Sequence, residues 1–372
     1  MSDTLTVLHY DPKGACSKAE CLSATFGLYS TILQQDKAIK LLRQLRRSGY
    51  IAAFDAPVKH MMYGRGVVFS HTSVRTQSKD PLFKDQWHLS MIGVEKAWDK
   101  KITGLGSYVS IVDTGVAYQP APGSSVRCSD LDPKQLDQGW DFINDRPGAD
   151  DKFGHGSHCA GTVGQWTNNG HGCAGIAYDC KILTARVLDE DGYGTTAGVA
   201  AGILWSAEKI TGHGVISMSL GSPYPNDVMH QACRQATEMG ILVVAAAGNS
   251  NSSSPEYPAA YPEVMSVASV GPTKSRAFYS SYGNTVDISA PGGDQRFQEE
   301  DGVLQNTVYY DKDVFAFFQG TSMACPHVSG AAALFPTLTR QEKWDLLTTC
   351  ADVIPEKGMG AGLLNIERMV KS

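Results

Sequence analysis

The chain has 372 residues, a formal net charge of −6 and an apolar fraction of 42%. These values are ordinary for a folded protein with one large domain and room for a small one, and they give no reason to expect nucleic acid as a partner. The longest apolar runs, such as residues 241–247, are too short to cross a bilayer, and the first residues lack the apolar core of a secretory signal. We therefore expect an intracellular, cytoplasmic protein without a membrane span, in which most of the nine cysteines are reduced thiols.

The predicted elements divide the chain into an N-terminal segment, residues 1–79, and a main domain, residues 80–372. In the first segment the sequence predicts a strand over 4–10, an amphipathic helix over 36–49 that ends at a glycine, and a strand over 50–58. This pattern predicts a small α+β unit that precedes the main domain.

From residue 107 onward, short apolar runs rich in β-branched residues alternate with helical patterns. The predicted strands cover 107–113, 181–187, 214–220, 241–247 and 264–270, and the predicted helices cover 197–210 and 227–239. This alternation predicts an α/β fold, with a mostly parallel sheet flanked by helices on both faces. Near the C-terminus, Thr339 and Glu342 have the spacing of a capping box, which predicts a helix start there.

Three segments carry the residue types that turn a hydroxyl into a nucleophile. Asp113 ends a predicted strand in "VDTG", His155 lies between glycines in "FGHGSHCAGT", and Ser322 lies in "GTSMACPH" at the start of a run of small residues. An imidazole can take the proton of a serine hydroxyl while a buried carboxylate fixes its tautomer. The order Asp, His, Ser excludes the α/β-hydrolase pattern, which runs Ser, acid, His.

These motifs resemble those of the subtilisin-like serine proteases, the subtilases, over roughly residues 80–372. The resemblance implies a three-layer subtilisin-like fold and a serine endopeptidase that forms an acyl-enzyme, with Asp113, His155 and Ser322 as its triad. Protein or peptide chains would be its substrates, and the chemistry would require no cofactor. The alternative is a catalytically inert, subtilase-like binding module.

Local features are similar to two branches of the family. Cys159, which follows the second histidine, is similar to the proteinase K branch, and "DPLFKDQWHL" (80–89) is similar to the entry of the catalytic domain in kexins and other subtilases. The second histidine, His158, is interpreted as structural because HGSH lacks the glutamate and the spacing of the zinc motif H-E-x-x-H.

Two further segments resemble the substrate groove of the family. "VVAAAGNS" (243–250) matches the stretch that carries the oxyanion-hole asparagine, here Asn249, and "SMSLGSP" (217–223) matches the stretch that pairs with the substrate backbone. The resemblance assigns the walls of the groove to Ser219, Leu220 and Gly221 on one side and to Ala247 and Gly248 on the other.

Glu256 precedes "YPAAYP" (257–262), which in the family lies near the floor of the pocket for the residue before the scissile bond. A carboxylate there would pair with a lysine or an arginine of the substrate. In the alternative, Glu256 turns out to solvent and leaves a broad apolar pocket between Leu220 and Ala247. Both hypotheses stay open from the sequence.

Metal binding stays unknown from the sequence. The acidic loop over 141–154 holds Asp141, Asp145, Asp150 and Asp151. Subtilases often bind structural calcium, but the spacing of these carboxylates matches no ligand pattern, so a calcium site and a solvated loop both stay open. The polar insertion at 294–314 is expected to be a surface excursion.

Residues 36–58 resemble the second half of a subtilase propeptide. The resemblance implies that the N-terminal segment is an intramolecular inhibitor that covers the groove, and a retained regulatory domain is the alternative. A cut is expected in the polar stretch between Phe69 and Lys84, because exposed polar linkers are the usual sites of nicking.

Overall fold

The computed structural model describes residues 4–10, 20–23, 28–64, 66–69, 80–118, 126–137 and 139–372. Within them the strands are β1 (Thr4–Tyr10), β2 (Glu20–Ser23), β3 (Leu28–Gln34), β4 (Ile51–Phe54), β5 (Pro57–His60), β6 (Val67–Phe69), β7 (Tyr108–Asp113), β8 (Trp140–Asp141), β9 (Arg146–Pro147), β10 (Lys181–Arg186), β11 (Tyr193–Thr195), β12 (Val215–Met218), β13 (Leu220–Gly221), β14 (Leu242–Ala246), β15 (Met265–Val270), β16 (Ile288–Pro291), β17 (Val303–Tyr309) and β18 (Lys312–Phe318). The helices are α1 (Gln35–Arg47), α2 (Trp87–Met91), α3 (Glu95–Asp99), α4 (His155–Gly164), α5 (Thr196–Lys209), α6 (Asp227–Glu238), α7 (Thr321–Ala333), α8 (Arg340–Thr349) and α9 (Ile366–Met369).

The centre of the main domain is an eight-stranded sheet in the order β16-β15-β14-β12-β7-β10-β8-β9. Its neighbouring strands are parallel, except that β8 and β9 are antiparallel. Both faces are covered, because Ile111 packs in the core with α4 and α7 while Val112 packs in the core with α5 and α6. Strands buried on both faces need the nearly continuous apolar runs that the sequence shows. The predicted three-layer α/β fold is confirmed.

The predicted elements of the main domain are present with small shifts at their ends. The main difference is the strand predicted over 214–220, which is interrupted after Met218 and continues as β13 in another sheet. Helix α8 begins at Arg340 behind the predicted capping box, in which Thr339 and Glu342 each bond the backbone N–H of the other. None of the helices in these parts of the chain combines the length and apolarity that a membrane crossing demands.

The N-terminal segment forms an antiparallel sheet in the order β2-β3-β1-β4, with α1 packed against it. The strand predicted over 50–58 is wrong as one element, because β4 and β5 belong to different sheets. The break falls at Asp55, whose carboxylate accepts hydrogen bonds from Thr196 Oγ1 and Ala197 N at 2.9 Å each. The chain is thereby fixed to the start of α5 and leaves the small sheet toward the main domain.

The small sheet rests on α5 and α6. Asn226 caps α6 by accepting from Val228 N, and its amide nitrogen donates to Phe54 O at 2.8 Å. Arg46 pairs with Asp227 at 2.8 Å on the surface nearby. The N-terminal sheet is therefore attached to α5 and α6, and β5 continues from it into the main domain. Residues 70–79, where much of the expected cut region falls, lie outside the described residues.

The prediction that the insertion at 294–314 is a surface excursion is wrong for Val303 to Val308, whereas residues 310–313, at the turn that follows, are exposed. Strand β17 pairs with β18 and is buried from Val303 to Val308. Its polar side chains find partners inside the protein, since Gln305 Nε2 donates to Ala174 O and Asn306 Nδ2 donates to Val314 O. Gln305 Oε1 is buried without a hydrogen-bond partner among the described residues. A polar sequence can form a buried strand where partners of this kind exist.

Candidate active site

Asp113 and His155 meet at the carboxyl edge of the sheet. Asp113 ends β7, His155 begins α4, and His155 Nδ1 lies 2.6 Å from Asp113 Oδ1. Both side chains are fully buried. Gly156 allows this approach, because a Cβ there would lie 2.1 Å from Gly115 O. The carboxylate holds the proton on Nδ1 and leaves Nε2 of the imidazole as the basic nitrogen.

Ser322 is the second residue of α7 and follows Gly320 and Thr321 of its motif. Its hydroxyl donates to Ser219 O at 3.0 Å, and His155 Nε2 has no hydrogen-bond partner among the described residues. Proton transfer to His155 therefore requires the hydroxyl to leave the Ser219 carbonyl. Loose hydrogen bonds of this kind are common in catalytic sites before substrate reacts.

Two N–H donors converge on one carbonyl oxygen next to Ser322. Asn249 Nδ2 and Ser322 N donate to Met61 O at 2.5 and 3.1 Å. The amide of Asn249 is held in this orientation because its Oδ1 accepts from both the N–H and the hydroxyl of Thr321, at 2.9 Å each. Two donors on one side require an oxygen there, so the amide nitrogen must face Met61.

The carbonyl belongs to the protein's own N-terminal segment, which lies in the groove as a strand. Strand β5 pairs antiparallel with β11 on one side and with β13 on the other. Met61 N donates to Ser219 O at 2.9 Å, and His60 N donates to Gly192 O at 3.1 Å. The peptide bond between Met61 and Met62 is thus placed at Ser322.

The chain can pass this closely only because residue 320 is glycine. Gly320 has φ 147°, and a Cβ there would lie 2.4 Å from Met61 O. The sequence missed this segment because nothing in "PVKHMM" marks it as a groove strand. The resemblance of residues 36–58 to a propeptide is the available signal, and it stops before Met61 and Met62.

The side chain of Met61 is buried between the two predicted walls. The ideal Cβ position of Gly221 lies 2.7 Å from Met61 Cε and 3.3 Å from Glu256 Cβ. On the other wall, the ideal Cβ position of Gly248 lies 3.0 Å from Glu256 Cγ. Ala247 contributes its carbonyl oxygen, which accepts from Glu256 N at 2.9 Å. Of the groove residues predicted from the sequence, Gly221, Gly248 and Glu256 therefore lie at this pocket, and Ser219 and Ala247 contribute backbone carbonyls beside it.

Glu256 faces this pocket and is 7% exposed. Its Oε1 accepts from Ser250 Oγ at 2.9 Å, while its Oε2 is buried without a hydrogen-bond partner in the part of the chain that the structure describes. The alternative in which Glu256 turns out to solvent is wrong. Leu220 instead packs with Val58 in the core near α5.

His60 covers the predicted catalytic imidazole. Its ring lies 5.1 Å from that of His155 and 4.9 Å from that of Phe153, centroid to centroid. Burial, with the nearby His155 and Lys59, lowers the pKa of His60 to about 3. Its ring is therefore neutral when the segment is bound.

Two groups of described residues carry metal-ligand atoms, one at the triad and one in the acidic loop, and neither has the free ligand atoms that a metal ion needs. The described group close enough is Asp113, His155 and Cys159, but the first two bond each other, and burial raises the pKa of the Cys159 thiol well above its usual range. In the acidic loop, Asp141 accepts from Arg186, and Asp151 accepts from Thr114, Gly154 and Ser157. The carboxylates of Asp141 and Asp151 are therefore occupied by hydrogen bonds within the protein, and the described residues show no defined calcium site.

His158 belongs to a buried group of three neutral histidines beneath the site. Its Nε2 donates to Val303 O and Ala316 O, and its ring stacks on Phe318 with centroids 4.4 Å apart. His88 and His327 bond each other at 2.8 Å. Burial lowers the pKa of His158 to about 3, that of His327 to about 4 and that of His88 well below its usual value.

A serine beside two N–H donors acts as a nucleophile only if a base takes its proton, and the Asp113–His155 pair can supply that base. Together with the mostly parallel sheet, this arrangement is that of a serine hydrolase with an α/β fold, in which the triad order differs from that of the α/β-hydrolases.

Known proteins narrow this class. The chain belongs to the subtilase family (Peptidase S8), whose sequence profile matches residues 104–364. It is 35% identical over 286 residues to "Subtilisin BL" of Lederbergia lenta, covering 76% of this chain and 97% of that relative. It is 38% identical over 262 residues to "Thermitase" of Thermoactinomyces vulgaris, covering 70% and 86%. The predicted family is therefore confirmed.

A solved protease of Pseudoalteromonas arctica PAMC 21717 has the same fold. It matches with a TM-score of 0.70 and 34% identity over 80% of this chain and 99% of that one. Subtilases of this kind are serine endopeptidases, and so is this protein. The expectation of peptide hydrolysis from the sequence is confirmed at this level.

The three buried histidines predict loss of stability in acid. They are neutral in the folded protein but bind protons when unfolded, so their contribution is full above pH 6.5 and falls as the pH drops toward 4. Each histidine should add a slope of about 1.4 kcal/mol per pH unit to the free energy of unfolding in this window.

Urea unfolding of a Ser322→Ala chain, which should not cut itself, measures this slope at pH 7.5, 6 and 5. His158→Gln should lower the stability at pH 7.5 and reduce the slope. His213→Gln, at an exposed position, is the control and should leave the slope unchanged. An unaltered slope in His158→Gln would contradict the conclusion that His158 is buried and neutral in the folded protein.

Proposed function

We propose that Asp113, His155, Ser322 and Asn249 carry out the peptide hydrolysis of this subtilase. The observation that supports this most directly is the Met61 carbonyl oxygen, which lies between the N–H groups of Asn249 and Ser322. A peptide bond in this position presents its carbonyl carbon to the serine hydroxyl. The inert binding module gains no support from the site, because no part of the triad is missing.

In the proposed reaction, Ser322 Oγ attacks the carbonyl carbon and passes its proton to His155 Nε2. Asp113 stabilises the imidazolium that forms, and the oxyanion of the tetrahedral intermediate accepts from Ser322 N and Asn249 Nδ2. The positive end of α7 favours the same charge. His155 then protonates the leaving amine, and water releases the acyl group by the reverse steps. Subtilases need no cofactor for this chemistry.

We further propose that the N-terminal segment is an intramolecular inhibitor and the first substrate of the enzyme. Strand β5 fills the groove on both sides by hydrogen bonds, and the small sheet holds it there through Asp55 and Asn226. The structure favours Met61–Met62 as the first bond cut, upstream of the stretch between Phe69 and Lys84. A retained regulatory domain would instead leave this bond intact.

Glu256 supports a preference for a long basic residue before the scissile bond. Met61 shows that the pocket accepts an unbranched side chain, and its apolar end leaves Glu256 Oε2 without a partner. A lysine or arginine could satisfy that oxygen, and a phenylalanine could not. The charge-assisted hydrogen bond is the basis of the preference.

The cysteines fit our proposal of a reducing, intracellular compartment. The seven cysteines whose side chains the structure describes are free and buried, including Cys173 and Cys180. The number of cysteines that become alkylated in the denatured, unreduced protein tests this. Recovery of a disulfide from protein isolated under non-reducing conditions would contradict it.

The oxyanion donors can be separated by two substitutions. Asn249→Ala should lower kcat about 10²–10³-fold because one donor is lost. Thr321→Val should lower kcat less, about tenfold, because it removes one hydrogen bond between neutral groups, from Thr321 Oγ1 to Asn249 Oδ1. The N–H of residue 321 still orients the Asn249 amide. Initial rates on one peptide substrate give both values, and equal losses would show that Thr321 does not act through Asn249.

Ser322→Ala should abolish both peptide hydrolysis and self-cleavage, with a loss of about 10⁶ in kcat because the triad acts as a unit. The wild-type chain should show a new N-terminus at Met62, and the Ser322→Ala chain should stay intact. Ser329→Ala, a second buried serine of α7, is the control and should still cut itself. An active wild-type chain that keeps the Met61–Met62 bond would rule out the inhibitor and favour a regulatory domain.

Matched substrates that differ only in Arg, Lys, Phe or Leu before the scissile bond test the pocket. The Arg-to-Phe ratio of kcat/KM should exceed one and fall about tenfold or more in Glu256→Gln. Ser250→Ala removes the partner of Glu256 but keeps the charge, so its ratio should still favour Arg. If Phe or Leu is preferred by wild type, or if Glu256→Gln leaves the ratio unchanged, Glu256 does not set the specificity.

A further inference from the structure

The leaving nitrogen of the proposed scissile bond has a hydrogen-bond partner within the bound segment itself. Met62 N lies 3.2 Å from Nδ1 of the His60 ring. Because a backbone N–H can only donate, Nδ1 of His60 is the acceptor, and the neutral ring carries its proton on Nε2. A side chain of the bound segment therefore contacts one of the atoms that react.

The groove holds the His60 ring in the position that makes this contact. The backbone N–H of His60 donates to Gly192 O at 3.1 Å. The ring lies so close to Gly192 that a Cβ there would lie 2.2 Å from His60 Cδ2. The ring of Phe153 also packs against it, with centroids 4.9 Å apart. A glycine and an aromatic ring thus leave a narrow space that a flat side chain can occupy.

The His60 ring also lies next to the imidazole that takes part in the proposed reaction. The centroids of the His60 and His155 rings are 5.1 Å apart, with an interplanar angle of 48°. A second cation at this distance would oppose the imidazolium that forms on His155. Burial, with the nearby His155 and Lys59, lowers the pKa of His60 to about 3, so its ring stays neutral and Nδ1 keeps its lone pair.

The departure of Met62 N strengthens the hydrogen bond to His60. In the tetrahedral intermediate, His155 Nε2 gives its proton to Met62 N. The bond from the Met61 carbonyl carbon to Met62 N then breaks, its electron pair stays on the nitrogen, and the oxyanion re-forms the carbonyl as an ester of Ser322. No proton passes to His60 in this step.

The hydrogen bond is stronger during this step than before it. As Met62 N accepts the proton from His155, positive charge develops on the nitrogen and its N–H becomes a better donor. A charge-assisted hydrogen bond is about twice as strong as one between neutral groups. The acceptor on His60 therefore stabilises the transition state more than the bound, uncut segment, and this difference accelerates the reaction.

We propose that His60 assists the cleavage of its own segment by accepting the Met62 N–H as the nitrogen leaves, and that the enzyme favours histidine at the same position, second before the cut, in other polypeptides. This proposal rests on the proposed cleavage at Ser322. The preference arises within the bound chain, since the acceptor and the leaving nitrogen both belong to it. It is therefore separate from the effect proposed for Glu256, which concerns the residue directly before the cut.

Synthetic peptides of residues 55–64 isolate the acceptor, with the full wild-type chain after its self-cleavage as the enzyme. In one peptide, 3-(4-thiazolyl)alanine replaces His60, because its ring nitrogen takes the place of Nδ1 and does not ionise near neutral pH. In the other, 3-(3-thienyl)alanine has a ring of the same shape with a C–H in that place. Both are labelled for quenched fluorescence. One enzyme preparation serves both, so a groove partly filled by the protein's own segment does not alter their ratio.

A matched pair of esters tests whether the contact acts through the leaving nitrogen. In these two peptides the 2-hydroxy acid analogue of methionine replaces Met62, so the leaving atom is an oxygen and has no N–H. The thiazole and the thiophene differ in polarity as before, but the ring nitrogen has no leaving-group donor to bind. Any difference that remains in the ester pair comes from binding of the ring alone.

The thiazole amide should have a kcat/KM about tenfold above that of the thiophene amide, through kcat and not through KM. The natural histidine peptide should behave like the thiazole amide at pH 7.5, where free histidine is mostly neutral. In the ester pair, the thiazole and the thiophene should have the same kcat/KM.

Self-cleavage of the chain gives a second measurement. His60→Phe keeps an aromatic ring between Gly192 and Phe153 but lacks the acceptor. In cell-free synthesis, where loss of the intact chain can be followed with time, this variant should cut itself about tenfold more slowly than wild type. His213→Phe, the same change at an exposed histidine, is the control and should cut itself at the wild-type rate.

The outcomes separate the two proposals. If no chain with Ser322 cuts itself or any peptide, the proposed reaction fails whatever residue is at position 60. If the peptides are cut but the two amides have the same kcat/KM, the reaction stands and the assistance by His60 is overturned. An equal advantage of the thiazole in the ester pair would also overturn it, as would self-cleavage of His60→Phe at the wild-type rate.

Discussion

The hydrogen bonds at the first turn of α7 determine the rest of the site. Thr321 orients the Asn249 amide, Ser322 supplies the second N–H, and both depend on where the helix begins. The helix is buried along its whole length and can be so only because its residues are small. A Cβ at Gly330, for example, would lie 3.0 Å from Ile176 Cβ, so even an alanine there would require Ile176 or the helix to move by a few tenths of an ångström.

The groove uses the chain of the bound polypeptide as a structural element. Strand β5 completes a three-stranded sheet, and β6 completes another on the opposite side of Ser322. On the proposed function, an inhibitor and a substrate would make the same main-chain hydrogen bonds here. What distinguishes the protein's own segment is its anchoring, because Asp55 and Asn226 hold the strand at a high effective concentration. The half-buried ring of His60 lies against that of His155 in the same groove, and burial keeps it neutral there by lowering its pKa.

Much of the fold and of the site could be predicted because the information is local. The runs that form β7, β10, β14 and β15 are apolar on both faces, and the residues around Asp113, His155, Ser322 and Asn249 are short motifs with fixed spacing. The division of residues 50–58 between two sheets was not predictable in this way, since it depends on hydrogen bonds to α5, far along the chain. The burial of β17 was missed for the same reason, as Gln305 looks solvent-exposed until Ala174 is known to accept from it. The orientation of Glu256 could not be predicted either, because it depends on the positions of Gly221 and Gly248, which face its side chain.

The proposed cleavage between Met61 and Met62 would change less in this protein than the break in the covalent chain implies. The residues before Met61 stay attached to the docked N-terminal sheet, and the residues after it stay attached to the main domain beside β18. Each half keeps its own hydrogen bonds, so the groove empties only when these weaker contacts break. The strength of strand pairing on the two sides, and not the chemistry at Ser322 alone, then sets how soon a second polypeptide can enter.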